Sequence, residues 1–508
     1  MSWRTLTNSM VRRYLKRHHQ RLDHVCRRPG QVQHSWFKYL VERGRSTAFG
    51  KEYGLRHIRN YETWQKEVPV FEYDSLKPYI QLMMEGHPDI LWPGVVSWFA
   101  KSSGTTQDQS KFIPVSQENL KRCHIKGAWD SMSILYHNHP TARVFAEKTL
   151  ILGGSLTTYE PYPQTMIGDV SAIMIDHMPW IGRPFFTPDF TTALLPDWEE
   201  KINKTVSVLL KDRRLTMIGG VPTWNIVLIR KLLEQTGVTN MLELFPRLEV
   251  YVHGGVGFGP YRNQFQQYIP KPDFIYQEVY NASEGYFAVQ DDYTRDDLLL
   301  LLDNGMFFEF IPREEWGIGT PVARQIHEIE VDKTYVLLVS NNSGLWRYVV
   351  GDLVHVTSLQ PLRIKIAGRI SQFINAFGEE VMIHNTDLAL SRACSELSAV
   401  VTEYTVAPIY LTRSNQGAHQ WIIEFEKRPD NLEQFAARLD QHLQAVNSDY
   451  KAKRQGDLAL NPLSIESVPP GTFIRWMQKR GKVGGQHKIP RLANDRRYVD
   501  AILEYINS

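Results

Sequence analysis

The chain has 508 residues, of which 43% are hydrophobic, 11% aromatic and 22% charged, and its net charge is only +3 at pH 7. That composition excludes a disordered chain and one built mainly to coat nucleic acid, and the length suffices for two or more domains with large cores. Neither the start of the chain nor any later run has the continuous apolar character of a secretory signal or of a span of ~20 apolar residues, so a cytoplasmic protein is expected.

Residues 1–90 read as helices joined by polar loops. Between Met1 and Arg28 stand eight basic residues, Arg4, Arg12, Arg13, Lys16, Arg17, Arg21, Arg27 and Arg28, against the single Asp23. The first reading is the solvated face of a helix, and the alternative is a helix for a membrane surface or anionic partner. Cys26, Cys123 and Cys394 match no disulfide or metal spacing and read as buried thiols in a reducing compartment.

Strands begin at VVSWFA, Val95 to Ala100, and lead into KSSGTTQDQSKFIPVS, Lys101 to Ser116. Ser102, Ser103, Thr105 and Thr106 offer hydroxyls, Gly104 lets backbone approach a phosphate, and Lys111 adds a charge. The segment lacks the ending of a Walker loop, and alone such a turn is a plain loop more often than a nucleotide site, by a factor of about 5. Apolar strands then alternate with helices: TLILGG near 150, a helix at Trp198–Lys211, LTMIGG, a helix at Pro222–Thr236, and LEVYVHGG. That alternation predicts a mainly parallel sheet covered by helices, an α/β fold. His137 and His139 in YHNHP lack a third ligand nearby and read as a polar loop. HGGVGFG carries a GxGxG pattern without the acidic partner of a dinucleotide site.

A strand-rich stretch runs from Phe274 to Val356, with turns expected at Asn304-Gly305, Asn342-Ser343-Gly344 and Gly351-Asp352. Leu298–Leu302, flanked by Asp297 and Asp303, reads as a buried strand. In YNASEGYF, Tyr280 offers an aromatic face for a purine, Ser283 a hydroxyl and Glu284 a carboxylate for Mg²⁺. In LWRYVVGDLVHV, Asp352 offers a bidentate acceptor for ribose hydroxyls. Each has a plain alternative, a core tyrosine with a Ser-x-Gly turn and a Gly-Asp turn between strands. Gly368 and Arg369 open GRISQFINAFGEEV, which suits a hinge, and the adjacent Glu379 and Glu380 read as a solvated pair. The domain boundary is set there, giving 1–369 and 370–508. The second domain reads as α+β, with strands at Glu403–Thr412, Gln420–Phe425 and Leu463–Val468 and helices at Asn431–Val446 and Thr472–Arg480. It ends in GGQHKIPR, a glycine-rich loop able to deliver Lys488 to a site.

Taken in order, SSGTT with Lys111 and Pro114, HGG at His253 to Gly255, YxxSE at Tyr280 to Glu284, YxxGD at Tyr348 to Asp352, the Gly-Arg hinge and the Gln-x-Lys-x-Pro-Arg loop resemble the Gretchen Hagen (auxin-responsive promoter) acyl acid amido synthetases. These belong to the adenylate-forming superfamily, and GLWRYVVGD and INAFGEE look like bacterial members. The resemblance covers nearly the whole chain. It implies a large N-terminal α/β domain with a small mobile C-terminal α+β domain. It also implies adenylation of a carboxylic acid by MgATP, followed by transfer of the acyl group to an amino acid.

By that resemblance, Ser102, Ser103, Gly104, Thr105, Thr106 and Lys111 hold phosphates. Gly255, Tyr280 and Ser283 flank the adenine, Glu284 positions Mg²⁺, Asp352 holds the ribose, Arg369 marks the hinge and Lys488 neutralises charge at the α-phosphate. Two alternatives stay open, an acyl-CoA ligase and a non-catalytic adenylate-binding protein. Val349 stands where plant members carry arginine, and Arg347 would point to the same face if the stretch is a strand. The acid pocket is sought around Arg122–Trp129, Gly220–Trp224 and HGGVGFG. The expected partners are a small carboxylic acid and an amino acid, with no nucleic acid and no membrane span, and a monomer is the default.

Overall fold

A computed structural model of the chain describes residues 3–102, 111–255, 257–370, 373–374, 379, 381–410, 417–454, 460–480 and 489–507. Two compact units emerge, one formed by residues 1–104, 108–255 and 272–365, the other chiefly by 256–271 and 366–508. The segment 256–271 lies inside the range assigned from sequence to the N-terminal domain, yet it packs with the C-terminal residues.

In the first unit, the helices α1 (Trp3–Cys26) and α2 (Pro29–Gly44) precede the strands. A four-stranded sheet has the order β2-β1-β5-β4, made from β1 (Trp98–Ser102), β2 (Lys111–Val115), β4 (Leu156–Tyr159) and β5 (Tyr162–Gly168). An eleven-stranded sheet has the order β12-β13-β14-β15-β11-β10-β9-β8-β7-β3-β6. Its parallel half is β3 (Lys148–Leu152), β6 (Phe186–Thr187), β7 (Leu215–Gly220), β8 (Val250–Gly254) and β9 (Ile275–Ala282). The rest is β10 (Gly285–Val289), β11 (Leu298–Leu300), β12 (Met306–Pro312), β13 (Thr334–Asn341), β14 (Tyr348–Leu359) and β15 (Leu362–Arg369), in which β10 to β13 pair antiparallel with their neighbours.

The expected parallel sheet is therefore present, and the strand-rich stretch extends it with an antiparallel half. The crossover helices carry their own punctuation. Asp197 caps Trp198–Lys211 by accepting from the Glu200 amide, and Glu199 and Glu200 add negative charge at the positive end of the dipole. Pro222–Thr236 opens on proline and stops at Gly237 with φ 72°. The leucine strand β11 is buried throughout, as its sequence predicts.

Three expectations change. Gly351 and Asp352 lie inside the single long strand β14, where φ of 92° at Gly351 and a register shift against β13 mark a bulge and not a turn between strands. Arg347 precedes that strand with φ 41° and is buried against Glu309, so it does not share a face with Val349. His137 lies in the last turn of the helix Lys126–Asn138 and stacks on His19 at 3.8 Å, so the first half of YHNHP is a helix end, and only His139 and Pro140 continue as the expected loop.

In the second unit, β18 (Val400–Tyr410), β19 (Gly417–Lys427) and β20 (Ser464–Val468) form one sheet, beside a two-stranded ribbon of β16 (Phe373–Ile374) and β17 (Val381–Met382). The helices Ile383–Glu396 and Leu432–Val446 pack together, and their apolar faces join Tyr404, Val406, Trp421 and Ile423 in one core. Glu379, expected to be solvated, is fully buried and bonds His419 at 2.9 Å; Glu380 lies outside the described residues.

Candidate active site

The first unit brings together several residues that the sequence singles out. Strands β8 and β9 run parallel, with His253 opposite Glu278 and Gly254 opposite Val279, so HGG and the end of YNASEG sit at the same sheet edge. A side chain at Gly254 would come within 2.3 Å of the Val279 carbonyl, which explains the glycine, and Gly255 follows with φ 82°. Ser283 and Glu284 form the two-residue turn between β9 and β10, since Ala282 pairs with Gly285. Both are largely buried.

Although β14 lies four strands from β9 in sheet order, the Tyr280 hydroxyl donates to Asp352 Oδ2 at 2.5 Å. The Gly351 bulge supplies the local bend at which Asp352 sits. Tyr280 itself is buried, with its ring 4.7 Å from that of Phe287. It therefore braces the carboxylate and offers little open face to a purine.

Lys111 opens β2 directly opposite Ser102 of β1, so the hydroxyl-rich segment is bracketed by a paired hairpin. The Lys111 ammonium lies 5.5 Å from the centre of the Tyr73 ring, whose hydroxyl accepts from the Phe112 amide at 2.9 Å. Ser103, Gly104, Thr105, Thr106 and Lys488 lie outside the described residues, as does the Ser102 side chain.

A hydrogen-bond chain that sequence reading did not assemble joins these pieces. Asn341, the last residue of β13, donates its side-chain amide to the Glu284 carbonyl at 2.9 Å and accepts the Ser343 and Leu345 amides. The Ser343 hydroxyl accepts the Ser116 amide at 2.8 Å, while the Ser116 hydroxyl donates to the Asn342 carbonyl at 2.6 Å. Ser116 follows β2, so the return strand of the hydroxyl hairpin and the Glu284 turn share one scaffold. The signal was partly legible: Asn342-Ser343-Gly344 reads as a turn, and Ser116 is a helix cap that accepts from Asn119.

Residues Leu120–Ile125 form a turn of π-helix, which often marks a functional site. It presents Cys123 and His124 to the same hairpin. Cys123 Sγ accepts the Tyr286 amide at 3.2 Å, and burial pushes its thiol up to about 12. The fully buried His124 donates from Nδ1 to the Asn281 side-chain Oδ1 at 3.3 Å, Nε2 has no partner among the described residues, and burial holds its pKa down to about 4. Arg122 does not face inward: it lies over Trp36 at 4.6 Å and pairs with Glu118 at 3.1 Å. Trp129 stacks on Phe145, and Trp224 packs on Trp198.

In the second unit, Arg369 ends β15 half-buried. The chain just after Lys488 is firmly held. Thr405 Oγ1 donates to the Pro490 carbonyl at 2.7 Å, and the Val406 amide donates to the Arg491 carbonyl at 2.8 Å. The Arg491 guanidinium donates to both Asp387 oxygens at 2.6 and 2.8 Å and to the Tyr261 hydroxyl at 2.8 Å. Tyr261 comes from the segment 256–271 that follows HGG.

Family models match the chain in three stretches: the GH3 family N-terminal domain over residues 18–236 and 164–274, the GH3 family central domain over 299–369 and the GH3 family C-terminal domain over 384–497. At 22% identity the chain is similar to indole-3-acetic acid-amido synthetase GH3.3 of Arabidopsis thaliana, covering 92% of this chain and 90% of that protein. Jasmonoyl--L-amino acid synthetase GH3.5 of Oryza sativa subsp. japonica is also 22% identical, over 92% and 93%. The fold matches AtGH3.15 acyl acid amido synthetase in complex with 2,4-DB with a TM-score of 0.79 at 17% identity, covering 97% of this chain and 96% of that one. It matches 2-hydroxyisobutyryl-CoA ligase in complex with 2-HIB-AMP with a TM-score of 0.60 at 12% identity, over 94% and 91%. With all three domain models matched in chain order, this protein belongs to the GH3 family.

Proposed function

We propose that the protein is an ATP-dependent acyl acid amido synthetase acting in the cytoplasm as a monomer. A carboxylate oxygen attacks the α-phosphorus of ATP, forming an acyl-adenylate and releasing pyrophosphate. The amine of an amino acid then attacks the acyl carbon, the amide bond forms, AMP leaves and the amine surrenders a proton. The observation that carries this reading is the Tyr280–Asp352 bond beside the Ser283-Glu284 turn, which sets a buried acceptor and a buried carboxylate at one sheet edge.

In this reading Asp352, with one oxygen held by the Tyr280 hydroxyl, accepts from the ribose with the other, and Ser283 touches the adenine. Ser102 to Thr106 and Lys111 surround the phosphates, and Lys488 balances charge as the α-phosphate is attacked. This is chemistry of positioning and electrostatics more than of acid and base. Among the described residues no three His, Cys, Asp or Glu gather as a metal cluster. A cation here would thus be held by the single carboxylate of Glu284 and the phosphates, the arrangement Mg²⁺ favours with nucleotides. When bound, Mg²⁺ supplies positive charge against the phosphate oxygens. The buried, neutral His124 and the small Gly127 beside the hairpin make the inner face of the Leu120–Asn138 region the stretch proposed to meet the acid.

The test is mass spectrometry of one incubation of protein and MgATP with pooled aryl, indole and fatty acids, pooled amino acids and CoA. The expected product has the mass of acid plus amino acid minus water. Lys488→Ala should lower AMP release on the order of 10²- to 10³-fold. A CoA thioester as the sole product would select the acyl-CoA ligase, and absence of AMP and pyrophosphate with every pair would sink the enzyme reading.

A further inference from the structure

We propose that α1 is a docking surface for an anionic lipid bilayer, on which the protein lies without spanning it. At the helical repeat, Leu6, Met10, Tyr14, Arg17 and Arg21 of α1 all fall within one face about 80° wide. The side turned to the body holds Leu15 and Leu22, which are buried in the unit, and on the flank between the two sides His18 bonds Asp130 at 2.6 Å. The helix is therefore anchored to the body along one side and presents the other outward. Leu6, Met10 and Tyr14, successive turns of that outward side, are 53%, 61% and 51% exposed.

No acidic residue shares the outward face; Asp23 lies about 140° round the helix from it and is paired with His19 at 3.6 Å. Arg13, Lys16, Arg17, Arg21 and Arg28 make no ion pair among the described residues. An apolar end followed by unneutralised cations on one face fits a bilayer interface, where aliphatic side chains enter the headgroup boundary and arginines meet lipid phosphates. Nucleic acid would satisfy the cations and leave Leu6 and Met10 in water. No helix of the described residues is long and apolar enough to cross a membrane, which leaves surface binding as the mode.

A second apolar point lies on the same unit. Trp180 is 80% exposed and Ile181 47%, in the loop before Phe185. A run of aromatic contacts leads from α1 to Phe185, which follows that loop: Tyr14 to Trp129 at 5.7 Å, Trp129 to Phe145 at 5.8 Å and Phe145 to Phe185 at 6.0 Å. An exposed tryptophan and isoleucine on the same unit as a basic amphipathic helix add a residue pair of the kind that anchors at a bilayer interface.

The experiment is co-sedimentation of the full chain with phosphatidylcholine vesicles, with and without phosphatidylglycerol, in low and high salt. The protein should sediment with the anionic vesicles only, and salt should release most of it. Arg17→Glu/Arg21→Glu and, separately, Leu6→Ser/Met10→Ser should each lower the partition coefficient about tenfold or more. These positions are exposed, so melting temperature and AMP release without vesicles should be unchanged. Absence of binding to anionic vesicles, equal binding to neutral ones, or retention on DNA but not on vesicles would each overturn the proposal. A catalytically silent protein that still binds vesicles leaves this inference standing while removing the amido synthetase reading.

Discussion

His124 shows what one residue gains from its surroundings. Its neighbours in sequence, Arg122 and Lys126, suggest a basic helix face, but burial makes His124 an uncharged imidazole with pKa about 4. The unfolded chain binds a proton at the ordinary 6.5, so between about pH 6.5 and 4 unfolding takes up a proton that the folded protein refuses. Stability should therefore be intact above pH 6.5 and fall as pH drops to 4, by up to about 3 kcal/mol from this group. Urea titrations across that range should show His124→Asn with a flatter pH dependence than wild type. An unchanged slope would mean the imidazole is not buried neutral.

At the scale of elements, β14 does two jobs that its sequence presents as a simple turn. The Gly351 bulge aims Asp352, and the residue before the strand, Arg347, fastens it from below. Glu309 on β12 accepts from Arg347, from the Tyr61 hydroxyl at 2.9 Å and from Trp64 Nε1 at 3.2 Å, while Arg347 also donates to the Val68 carbonyl at 2.7 Å. Removing one partner of such a buried pair strands the other charge, so Arg347→Met should cost about 3–5 kcal/mol in denaturant unfolding, and Arg347→Met/Glu309→Gln should recover much of it. Equal losses in the single and double variants would show that the pair's charges are not coupled. The arginine absent at Val349 thus has no substitute in Arg347, whose work is structural.

For the molecule as a whole, the unexpected feature is the placement of 256–271 with the C-terminal unit. Arg491 holds that arrangement: its guanidinium joins Asp387 to Tyr261, and a Cβ at Gly257 would lie 2.3 Å from Asp387 Oδ2. The same residue stands three positions after Lys488. Arg491→Met should lower the unfolding free energy by about 3–5 kcal/mol, and Arg491→Lys, which keeps charge but not the fork, should slow pyrophosphate release more than aminolysis of a supplied acyl-adenylate. Equal slowing of both half-reactions, in step with the loss of stability, would reduce Arg491 to a structural role.

Local pattern carried the elements because periodicity, caps and glycine stops act within a few residues. The helices Trp198–Lys211 and Pro222–Thr236 and the buried leucine strand needed no partner to be read. Ordered motifs carried the family for a similar reason, since each is a short stretch with its own chemistry. What tertiary structure alone decided lies at sequence separations no local rule spans. Tyr280 meets Asp352 across 72 residues, Asn341 reaches Glu284 across 57, and Glu379 is buried by His419 across 40. Burial then set the charge of His124, and exposure left Arg13, Lys16, Arg17 and Arg21 of α1 without an ion pair among the described residues, because desolvation and pairing depend on which surfaces the fold brings together and which it leaves to solvent.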